Sequence, residues 1–351
     1  MTPPPDGVLK AFDIVEEVAG WARLTGGHIH DTWVATISGG TRFVVQAINT
    51  SVFRDIDACE HNLSLLDHWL GGSLIPRFRR TTFGAVHWLT PCAFAAGTAV
   101  RGSTTTPPAT PMVWRVTEFA EGTVGAASAS SASQGHEAAR AFGAFVHRLQ
   151  PIPVNEFAVT IARFHDLGWR ITQLAEAAND DDRGRAKSCR REIDRVRATA
   201  DAVRLPGDLP VRIVHNDAKI ANVRFAAGTG AAVVIVDLDT TMGGSLLYDV
   251  GELIRSGCTD AREDDVDAEV DRSRVEAIVD GYLEGASGAV TELERACFGL
   301  AGPLMAIENA ARFLTDHLRG DTYFATTYDG QNLVRSRAQT RLADGLRQQQ
   351  L

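Results

Sequence analysis

Cysteine and long apolar runs are both scarce in this chain. Five cysteines occur among 351 residues, and no two of them form a CxxC pair, so neither a disulfide framework nor a cysteine zinc site is indicated. No stretch of about 18 consecutive apolar residues is present, and the first residues carry no basic and apolar signal-peptide pattern. We therefore expect a cytoplasmic protein that has no membrane association.

Positive charge is also in short supply. Lys and Arg number 35 against 44 Asp and Glu, which gives a formal net charge of −9. The one basic run, at 183–197, is interleaved with acidic residues and is typical of a solvated helix face. Because nucleic acids are bound by clustered Lys and Arg, we expect no nucleic-acid partner.

The composition and length favour an ordinary folded protein of two parts. Hydrophobic residues make up 44% and charged residues 23% of the chain, which excludes disordered and fibrous classes. At this length two domains or lobes are expected. A small polar segment, AASASSASQG at 126–135, separates a strand-like first part from a helical second part, and we predict lobes at 1–120 and 121–351.

The first lobe is predicted to be a small antiparallel sheet with one helix. A Ser-Gly-Gly turn at 38–40 joins two alternating runs in the manner of a hairpin, and a Ser/Thr/Pro loop at 101–110 separates two further runs. The predicted strands are 33–37, 42–48, 86–89 and 113–119, and the predicted helix is 55–70.

The second lobe is predicted to be mainly helical with a short β segment, so the fold class is α+β. Apolar residues recur at helical spacing through most of it. The predicted helices are 136–149, 162–178, 188–202, 264–284, 290–318 and 334–348, and the predicted β segment is 211–237.

The β segment carries the residues that point to chemistry. An apolar run leads into HNDAKIAN at 215–222, and a second apolar run at 233–236 delivers Asp237-Leu238-Asp239. If the extended conformation continues, Asp237 and Asp239 face the same side. The spacing HxDxKxxN is that of the protein-kinase catalytic loop, so we assign Asp217 as the base, Lys219 as the phosphate contact and Asn222 as a metal ligand.

The expected reaction is phosphoryl transfer from ATP with Mg²⁺. This reaction depends on positioning and on neutralising charge, and Mg²⁺ takes oxygen ligands such as those of Asn222, Asp237 and Asp239. Each residue alone is more often a turn, cap or strand-end residue. The ordered combination favours the kinase interpretation.

The motifs HNDAKIANVRF, VVIVDLDTTMGG and LYDVGELIR resemble the core of the aminoglycoside-phosphotransferase/choline-kinase superfamily. Within it they are most similar to the N-acetylhexosamine 1-kinases, and the similarity continues in GGHIHDTW, FVVQAINTSVF, WRVTEFAEGT, ARFHD and ARFLTDHLRGDTYF. The resemblance implies a bilobal protein-kinase-like fold and a reaction that makes ADP and a sugar 1-phosphate. It also implies that Asp217 accepts the anomeric hydroxyl proton, Lys219 steadies the γ-phosphate, Asn222 and Asp237 hold Mg²⁺, and Asp239 is a second ligand.

Nucleotide contacts are predicted in the first lobe. Protein kinases place a Lys on the third strand, whereas FVVQAIN offers Gln46 there, and Gly27 belongs to a glycine pair rather than a full phosphate-binding loop. Glu118, Phe119 and Ala120 are the predicted adenine-side hinge.

Acceptor contacts are predicted at polar residues of the resembling motifs, namely His28, Asp31, Arg255 and Arg312. Arginine forks suit sugar hydroxyl and acyl oxygens. Arg255 could instead be a helix-end cation, and Arg312 an ion-pair partner of Glu308. His215 is interpreted as orienting its loop and Asp249 as a helix cap.

Three functions remain open on the sequence. The first is a sugar 1-kinase with a neutral small-molecule sugar or amino-sugar substrate, and the second is an aminoglycoside phosphotransferase of the same fold. The third is a non-catalytic pseudokinase, because Gln46 cannot supply charge. The oligomeric state is left open.

Overall fold

The computed structural model describes residues 4–5, 7–24, 29–90 and 112–349. It divides the chain into two compact units, Met1–Glu121 and Gly122–Leu351, one residue beyond the boundary predicted from composition. The predicted contacts at Gly27 and His28, and the predicted loop at 101–110, lie outside the described residues. None of the described helices is long and apolar enough to cross a membrane.

The first unit is built on an antiparallel sheet of five strands among its described residues, in the order β1-β2-β3-β5-β4. The predicted strands and the predicted helix are present within two residues of their expected bounds. The strands are β1 Val18–Arg23, β2 Asp31–Ile37, β3 Arg42–Ile48, β4 His87–Leu89 and β5 Val113–Glu118, and the helices are α1 Gly7–Ala11 and α2 Ile56–Leu70.

Two elements of this unit escaped the sequence analysis, which expected a single helix. Strand β1 is mostly exposed and so lacks the alternating apolar pattern of a half-buried strand. Helix α1 has only five residues, which is too short for helical periodicity to be read, although its Val8 and Leu9 are buried in the core of the unit.

The two faces of strand β3 have different environments. Phe43, Val45 and Ala47 belong to the apolar core cluster, together with residues of α1, β2 and β5. Gln46 lies between two of these core residues and therefore faces the other side of the sheet, because successive strand residues alternate.

The second unit consists mainly of helices around two small sheets. The helices are α3 Ala132–Leu149, α4 Leu167–Asp180, α5 Arg190–Ala202, α6 Leu246–Gly257, α7 Arg272–Ala286, α8 Glu292–Ala296, α9 Phe298–Arg319 and α10 Gln331–Arg347. The strands are β6 Thr123–Gly125, β7 Arg212–Val214, β8 Val223–Ala226, β9 Ala232–Ile235 and β10 Met242–Gly244, paired as β10-β7 and β6-β8-β9.

The predicted helix at 290–318 is two helices. The Thr291 hydroxyl accepts from the Glu294 amide and the Glu294 carboxylate accepts from the Thr291 amide, a capping box that starts α8. Cys297 ends α8 and precedes α9. The predicted helix at 264–284 begins later, because the Asp271 carboxylate caps α7 by accepting from the amides of Ser273 and Arg274.

Helix α6 was not among the helices predicted from periodicity, although the cap interpretation of Asp249 and the helix-end alternative for Arg255 implied a helix there, and it carries residues that matter for the site. Gly251 lets it approach α9 closely, because a Cβ there would lie 2.3 Å from the carbonyl oxygen of Ala301. The first turn of α6 contacts the 215–222 segment through Asp249, which accepts from the amides of His215 and Asn216.

Candidate active site

The segment 215–222 follows β7 and ends in the short 3-10 turn Ile220–Asn222. It carries the residues of the candidate active site. Asn216 has a φ of 64°, in the left-handed region that Asn tolerates better than most residues. Its side-chain amide donates to the carbonyl of Thr240 at 3.0 Å, and the Thr240 hydroxyl donates to the carbonyl of His215 at 2.8 Å. The two segments that carry HNDAKIAN and DLD are therefore bonded to each other.

Asp249 anchors the same loop and does not cap a helix, so the cap interpretation is wrong. Ser245 caps α6, whereas the fully buried Asp249 accepts from the amides of His215 at 3.0 Å and Asn216 at 2.7 Å. Burial raises the pKa of Asp249 to about 7 despite these two donors. Its role is set by tertiary contact with a loop more than 30 residues earlier.

His215 is held as a neutral imidazole. It is fully buried, and burial lowers its pKa to about 4. Its Nε2 lies 3.1 Å from the carbonyl of Val236, which requires a donor, and its Nδ1 accepts from the Asp217 amide at 3.3 Å. Both nitrogens are committed to the backbone, which is consistent with an orienting role.

Asp217 is at the centre of a compact polar cluster. The Lys219 ammonium donates to its Oδ2 at 2.7 Å, and the Asn222 side-chain amide donates to the same oxygen at 3.0 Å. Burial alone raises the pKa of Asp217, but Lys219, together with His215 and the Asn222 side-chain amide, more than offsets this effect, so the pKa is lowered. Burial alone lowers the pKa of Lys219, and the carboxylates of Asp217 and Asp237 raise it above the usual value. The carboxylate is therefore ionised and the ammonium charged at neutral pH.

Asp237 and Asp239 converge, but not by the route predicted. Asp237 has a φ of 64° and is followed by a 3-10 turn, Leu238–Thr240, so the extended conformation ends before it. The alternation of side chains along an extended strand therefore does not set the directions of Asp237 and Asp239. Even so, one carboxylate oxygen of Asp237 lies within 4.8 Å of one of Asp239.

The donor set of this region fits a hard divalent cation. The Val236 amide donates to the Asn222 carbonyl at 2.9 Å, which places Asp237 beside Asn222. The Asn222 side-chain nitrogen donates to Asp217, so the side-chain oxygen of Asn222 points away from the Asp217 carboxylate. Two carboxylates and an amide oxygen form a ligand set of the kind that Mg²⁺ prefers.

A buried ion pair supports the loop from below. Both carboxylate oxygens of Glu308 lie about 3 Å from Nδ1 of His165, and Nε2 of His165 lies 2.6 Å from the carbonyl of Asn216. Because each ring nitrogen faces an acceptor, both carry hydrogen and the ring is an imidazolium. Burial alone lowers the pKa of His165, but Glu308 and the Asn216 carbonyl raise it. The His165 imidazolium is thus hydrogen-bonded to Asn216, the residue that precedes Asp217.

Arg312 and Arg170 lie close to this ion pair. The hydrogen-bonded partner of Glu308 is His165, and Arg312, the predicted ion-pair partner, acts on Glu308 through its charge, which contributes to lowering the pKa of that carboxylate. Arg312 also reaches Asn309 at 3.5 Å. Burial and the positive charge of Arg312 lower the pKa of Arg170, whose Nε is buried without a hydrogen-bond partner.

Two aromatic rings lie near the guanidinium of Arg312, and further aromatic residues lie close by. The guanidinium of Arg312 lies 5.4 Å from the ring centre of Phe324 and 6.0 Å from that of Phe164. Tyr248 stacks on His165 at 4.8 Å, and Tyr323 is 63% exposed beside Phe324. The region combines guanidinium donors with apolar ring faces.

Arg255 is held within its own helix. It forms a two-pronged ion pair with Glu252, one turn earlier on α6, and its third nitrogen lies near Glu263 and Gln339. The side chain is largely buried. Its guanidinium is thus engaged by carboxylates, and its predicted contact with the acceptor stays a prediction.

The predicted contacts of the first unit are placed as follows. Asp31, at the start of β2, pairs with Arg23 at 2.6 Å. Gln46 accepts from Nε of Arg115 at 3.1 Å and from its Nη2 at 2.8 Å, and donates to the Thr32 hydroxyl at 3.3 Å. Gln46 is therefore bonded to a cation that the sequence analysis did not single out.

The predicted hinge begins at the last residue of β5, Glu118, and continues through Phe119 and Ala120. The amide of Glu118 donates to the carbonyl of Arg77 and that of Phe119 to the carbonyl of Arg42, while the Arg42 guanidinium lies 4.0 Å over the Phe119 ring. The first two hinge amides are thus used within the unit. An adenine contact through this segment would have to use its carbonyls, its side chains or residues from Ala120 onward.

The side chains that sequence reasoning missed are His165, Glu308, Arg115 and the loop-anchoring role of Asp249. His165 lies in ARFHD and Arg115 in WRVTEFAEGT, so both motifs were noticed but gave no role. The pairing of His165 with Glu308 spans 143 residues, and no local pattern indicates it.

Comparison with known proteins gives a consistent result. A model of the phosphotransferase enzyme family, APH, matches residues 20–286. An aminoglycoside phosphotransferase from Alicyclobacillus acidocaldarius subsp. acidocaldarius DSM 446 superposes with a TM-score of 0.59 at 16% identity, covering 99% of this chain and 97% of that one.

Two further solved structures are similar along almost the whole chain. A microcompartment-associated aminopropanol kinase superposes with a TM-score of 0.62 at 13% identity, covering 98% of this chain and 99% of that one. The amicoumacin kinase hAmiN in complex with AMP-PNP, Ca²⁺ and Ami gives 0.59 at 12% identity, covering 96% and 92%. The predicted bilobal, kinase-like α+β fold is confirmed.

Proposed function

This chain belongs to the phosphotransferase enzyme family, and we propose that it transfers the γ-phosphoryl group of ATP to the anomeric hydroxyl of a hexose or N-acetylhexosamine. Family membership makes it an ATP-dependent phosphotransferase acting on a small-molecule hydroxyl. The sugar acceptor, the use of Mg²⁺ and the residue roles are the proposal.

The observation that carries the proposal is the charge of the region beside the catalytic loop. Arg312 and Arg170 are close enough to affect each other electrostatically, and both act on Glu308, the partner of His165. A cationic acceptor such as an aminoglycoside would be repelled by two guanidinium groups. A neutral sugar would accept hydrogen bonds from Arg312, since the Arg170 guanidinium already donates to Gln173 and to the Phe164 carbonyl. Tyr323 and Phe324 offer ring faces for the apolar side of the sugar.

The proposed reaction uses the Asp217 cluster. Asp217 accepts the proton of the anomeric hydroxyl, whose oxygen forms a bond to the γ-phosphorus as the bond to the β-γ bridging oxygen breaks, which releases ADP. Lys219, which donates to Asp217, stabilises the γ-phosphoryl group during transfer. Asn222, Asp237 and Asp239 would hold Mg²⁺, which when bound neutralises phosphate charge.

The acceptor is tested with matched substrates. The protein, ATP and Mg²⁺ are incubated with N-acetylglucosamine, N-acetylgalactosamine, glucose and galactose, and with the methyl glycoside of each sugar. We expect a sugar 1-phosphate, identified by ³¹P NMR, from at least one free sugar and none from its glycoside. Phosphorylation of a glycoside, or of an aminoglycoside but no sugar, would overturn the proposal.

The acceptor region is tested by substitution. We expect Arg312→Met to raise KM for the sugar about 10-fold or more, the worth of a lost charge-assisted hydrogen bond, with KM for ATP unchanged. Arg319→Met is the matched control, because Arg319 is an exposed arginine in the last turn of the same helix. Equal effects of the two substitutions on KM for the sugar would place the acceptor elsewhere.

A further inference from the structure

Strand β3 carries Gln46 where protein kinases place the lysine that binds the α- and β-phosphates. The nearest cation on the same strand pair is Arg115, which is 2% exposed. We propose that Arg115, oriented by Gln46, binds the nucleotide phosphates in place of that lysine. The inference deepens the proposed function and rests on it only in that ATP is the phosphoryl donor.

Register places the two side chains side by side. Gln46 and Arg115 are direct cross-strand partners in the antiparallel β3-β5 pair. Adjacent strands lie about 4.8 Å apart, so moving the cation from β3 to β5 shifts its origin by one strand spacing. Arg115 lies between Trp114 and Val116 of the core cluster and therefore faces the same side of the sheet as Gln46.

The contact geometry gives Gln46 a specific task. Its side-chain oxygen accepts from both Nε and Nη2 of Arg115, and its side-chain nitrogen donates to Thr32 on the neighbouring strand. The Gln46 amide is thus held by Thr32 through its nitrogen, and through its oxygen it fixes the plane of the Arg115 guanidinium. A planar guanidinium has five N–H groups and binds phosphate oxygens in pairs, which an oriented arginine does at lower entropic cost.

The helix-borne acid of this unit has a different partner from the one in protein kinases. There a glutamate of the helix pairs with the β3 lysine. Here Glu60 of α2 accepts from the amides of Val86 and His87 and from Nδ1 of His87 on β4. His87 is the cross-strand partner of Arg115 on β4, so Arg115 lies between Gln46 and His87 in the register of the sheet, and Glu60 is bonded to His87.

The decisive measurement compares ligands with and without phosphate. Binding of Mg·ADP and of adenosine to the full chain is measured by isothermal titration calorimetry. We expect Arg115→Met to weaken Mg·ADP about 10- to 100-fold, the range of a lost charge-assisted contact, and to change adenosine affinity less than about 3-fold.

Two further variants complete the test. Adding Gln46→Lys to Arg115→Met returns a cation to β3 and should recover about 5-fold or more of the lost Mg·ADP affinity. Arg80→Met is the matched control, because Arg80 is another arginine of this unit and is bonded to Asp67 and Ser64 of α2. We expect it to change neither affinity more than about 3-fold.

The outcomes separate the possibilities. Wild-type affinity for Mg·ADP in Arg115→Met, or an equal loss for adenosine, would show a structural role and overturn the inference. If Arg115→Met does not fold, Arg115→Lys decides, with an expected loss of about 3- to 10-fold for Mg·ADP alone. A chain that phosphorylates no sugar yet shows the selective loss would refute the acceptor proposal and leave Arg115 as the phosphate contact.

Discussion

Replacing Asp249 by Ala tests whether the catalytic loop is held from beneath by a single carboxylate. Asp249 is fully buried and accepts from two backbone amides, at 3.0 and 2.7 Å. The substitution leaves both donors buried without an acceptor, at a cost of about 1 to 3 kcal/mol each. We therefore expect the free energy of unfolding to fall by about 3 to 5 kcal/mol, near the upper end for single substitutions.

The same substitution should reduce catalysis more than stability alone explains. The two amides belong to His215 and Asn216, and the next residue is Asp217. A displacement of about 1 Å at a reacting group can lower kcat about 100-fold. At temperatures where the variant is still fully folded, kcat should therefore fall by about that factor.

The matched control is Asp271→Ala. Asp271 also accepts from two backbone amides, those of Ser273 and Arg274, but it is exposed at the start of α7. Its loss should cost about 1 kcal/mol, as for other helix caps, and leave kcat unchanged. Both measurements are made at pH 8, where the Asp249 carboxyl is ionised. Urea unfolding followed by circular dichroism at 222 nm gives the free energy of unfolding, and steady-state kinetics give kcat. Equal effects of the two substitutions on kcat would refute the anchoring role.

Three further predictions concern the same unit. Asp217→Asn should lower kcat about 1,000-fold and leave KM for ATP within about 3-fold, because the general base is lost while the neighbouring side chains keep hydrogen-bond partners. Steady-state kinetics measure both constants, and a kcat within 10-fold of the wild type would refute the assignment of Asp217 as the base. Asp237→Asn should raise the Mg²⁺ concentration that gives half-maximal activity about 10-fold or more, since a carboxylate ligand becomes an amide; an unchanged Mg²⁺ titration would remove it from the metal site. His165 has a pKa raised by Glu308, so its stabilisation is complete below the unfolded value of about 6.5 and is lost as pH rises through the folded value. The urea midpoint of the wild type should therefore fall between pH 6 and 9 by more than that of His165→Gln, and parallel pH curves would contradict the ion pair.

The parts predictable from the sequence are those set by local pattern. Most helices with apolar residues at regular spacing, and the strands of the first unit, lie close to their predicted positions, because each presents one apolar face to a core. The exceptions are α4, which begins at Leu167 against the predicted 162, and α7, which begins at Arg272 against the predicted 264. Helix α6 was not listed among the predicted helices although Leu246, Leu247, Val250, Leu253 and Ile254 have helical spacing, and only the interpretations of Asp249 and Arg255 implied it. Its interior glycine, Gly251, lowers the local helical preference. Only its contact with Ala301 of α9 shows why a glycine is needed there.

The contacts of the candidate site were less predictable because they join distant segments. Local preference makes an aspartate at the start of a helix a cap, whereas Asp249 serves a loop and Ser245 serves the helix. The prediction that Asp237 and Asp239 share a side relied on continued extension, and the chain instead turns at Asp237. The sequence spacing indicated which residues belong to the candidate site, but tertiary contacts determine which atoms each of these side chains faces.

The cost of this arrangement is an argument against the pseudokinase alternative. Asn216 and Asp237 hold positive φ values, and such conformations cost about 1 to 3 kcal/mol each. A buried ion pair such as His165 with Glu308 adds little stability compared with apolar residues of similar volume. The two positive-φ residues therefore cost the fold some stability, and the ion pair offsets little of that cost, while the loop places Asp217 beside Lys219 and Asn222. A protein that only bound ligand would gain stability by relaxing these features, so their presence favours a loop that performs phosphoryl transfer.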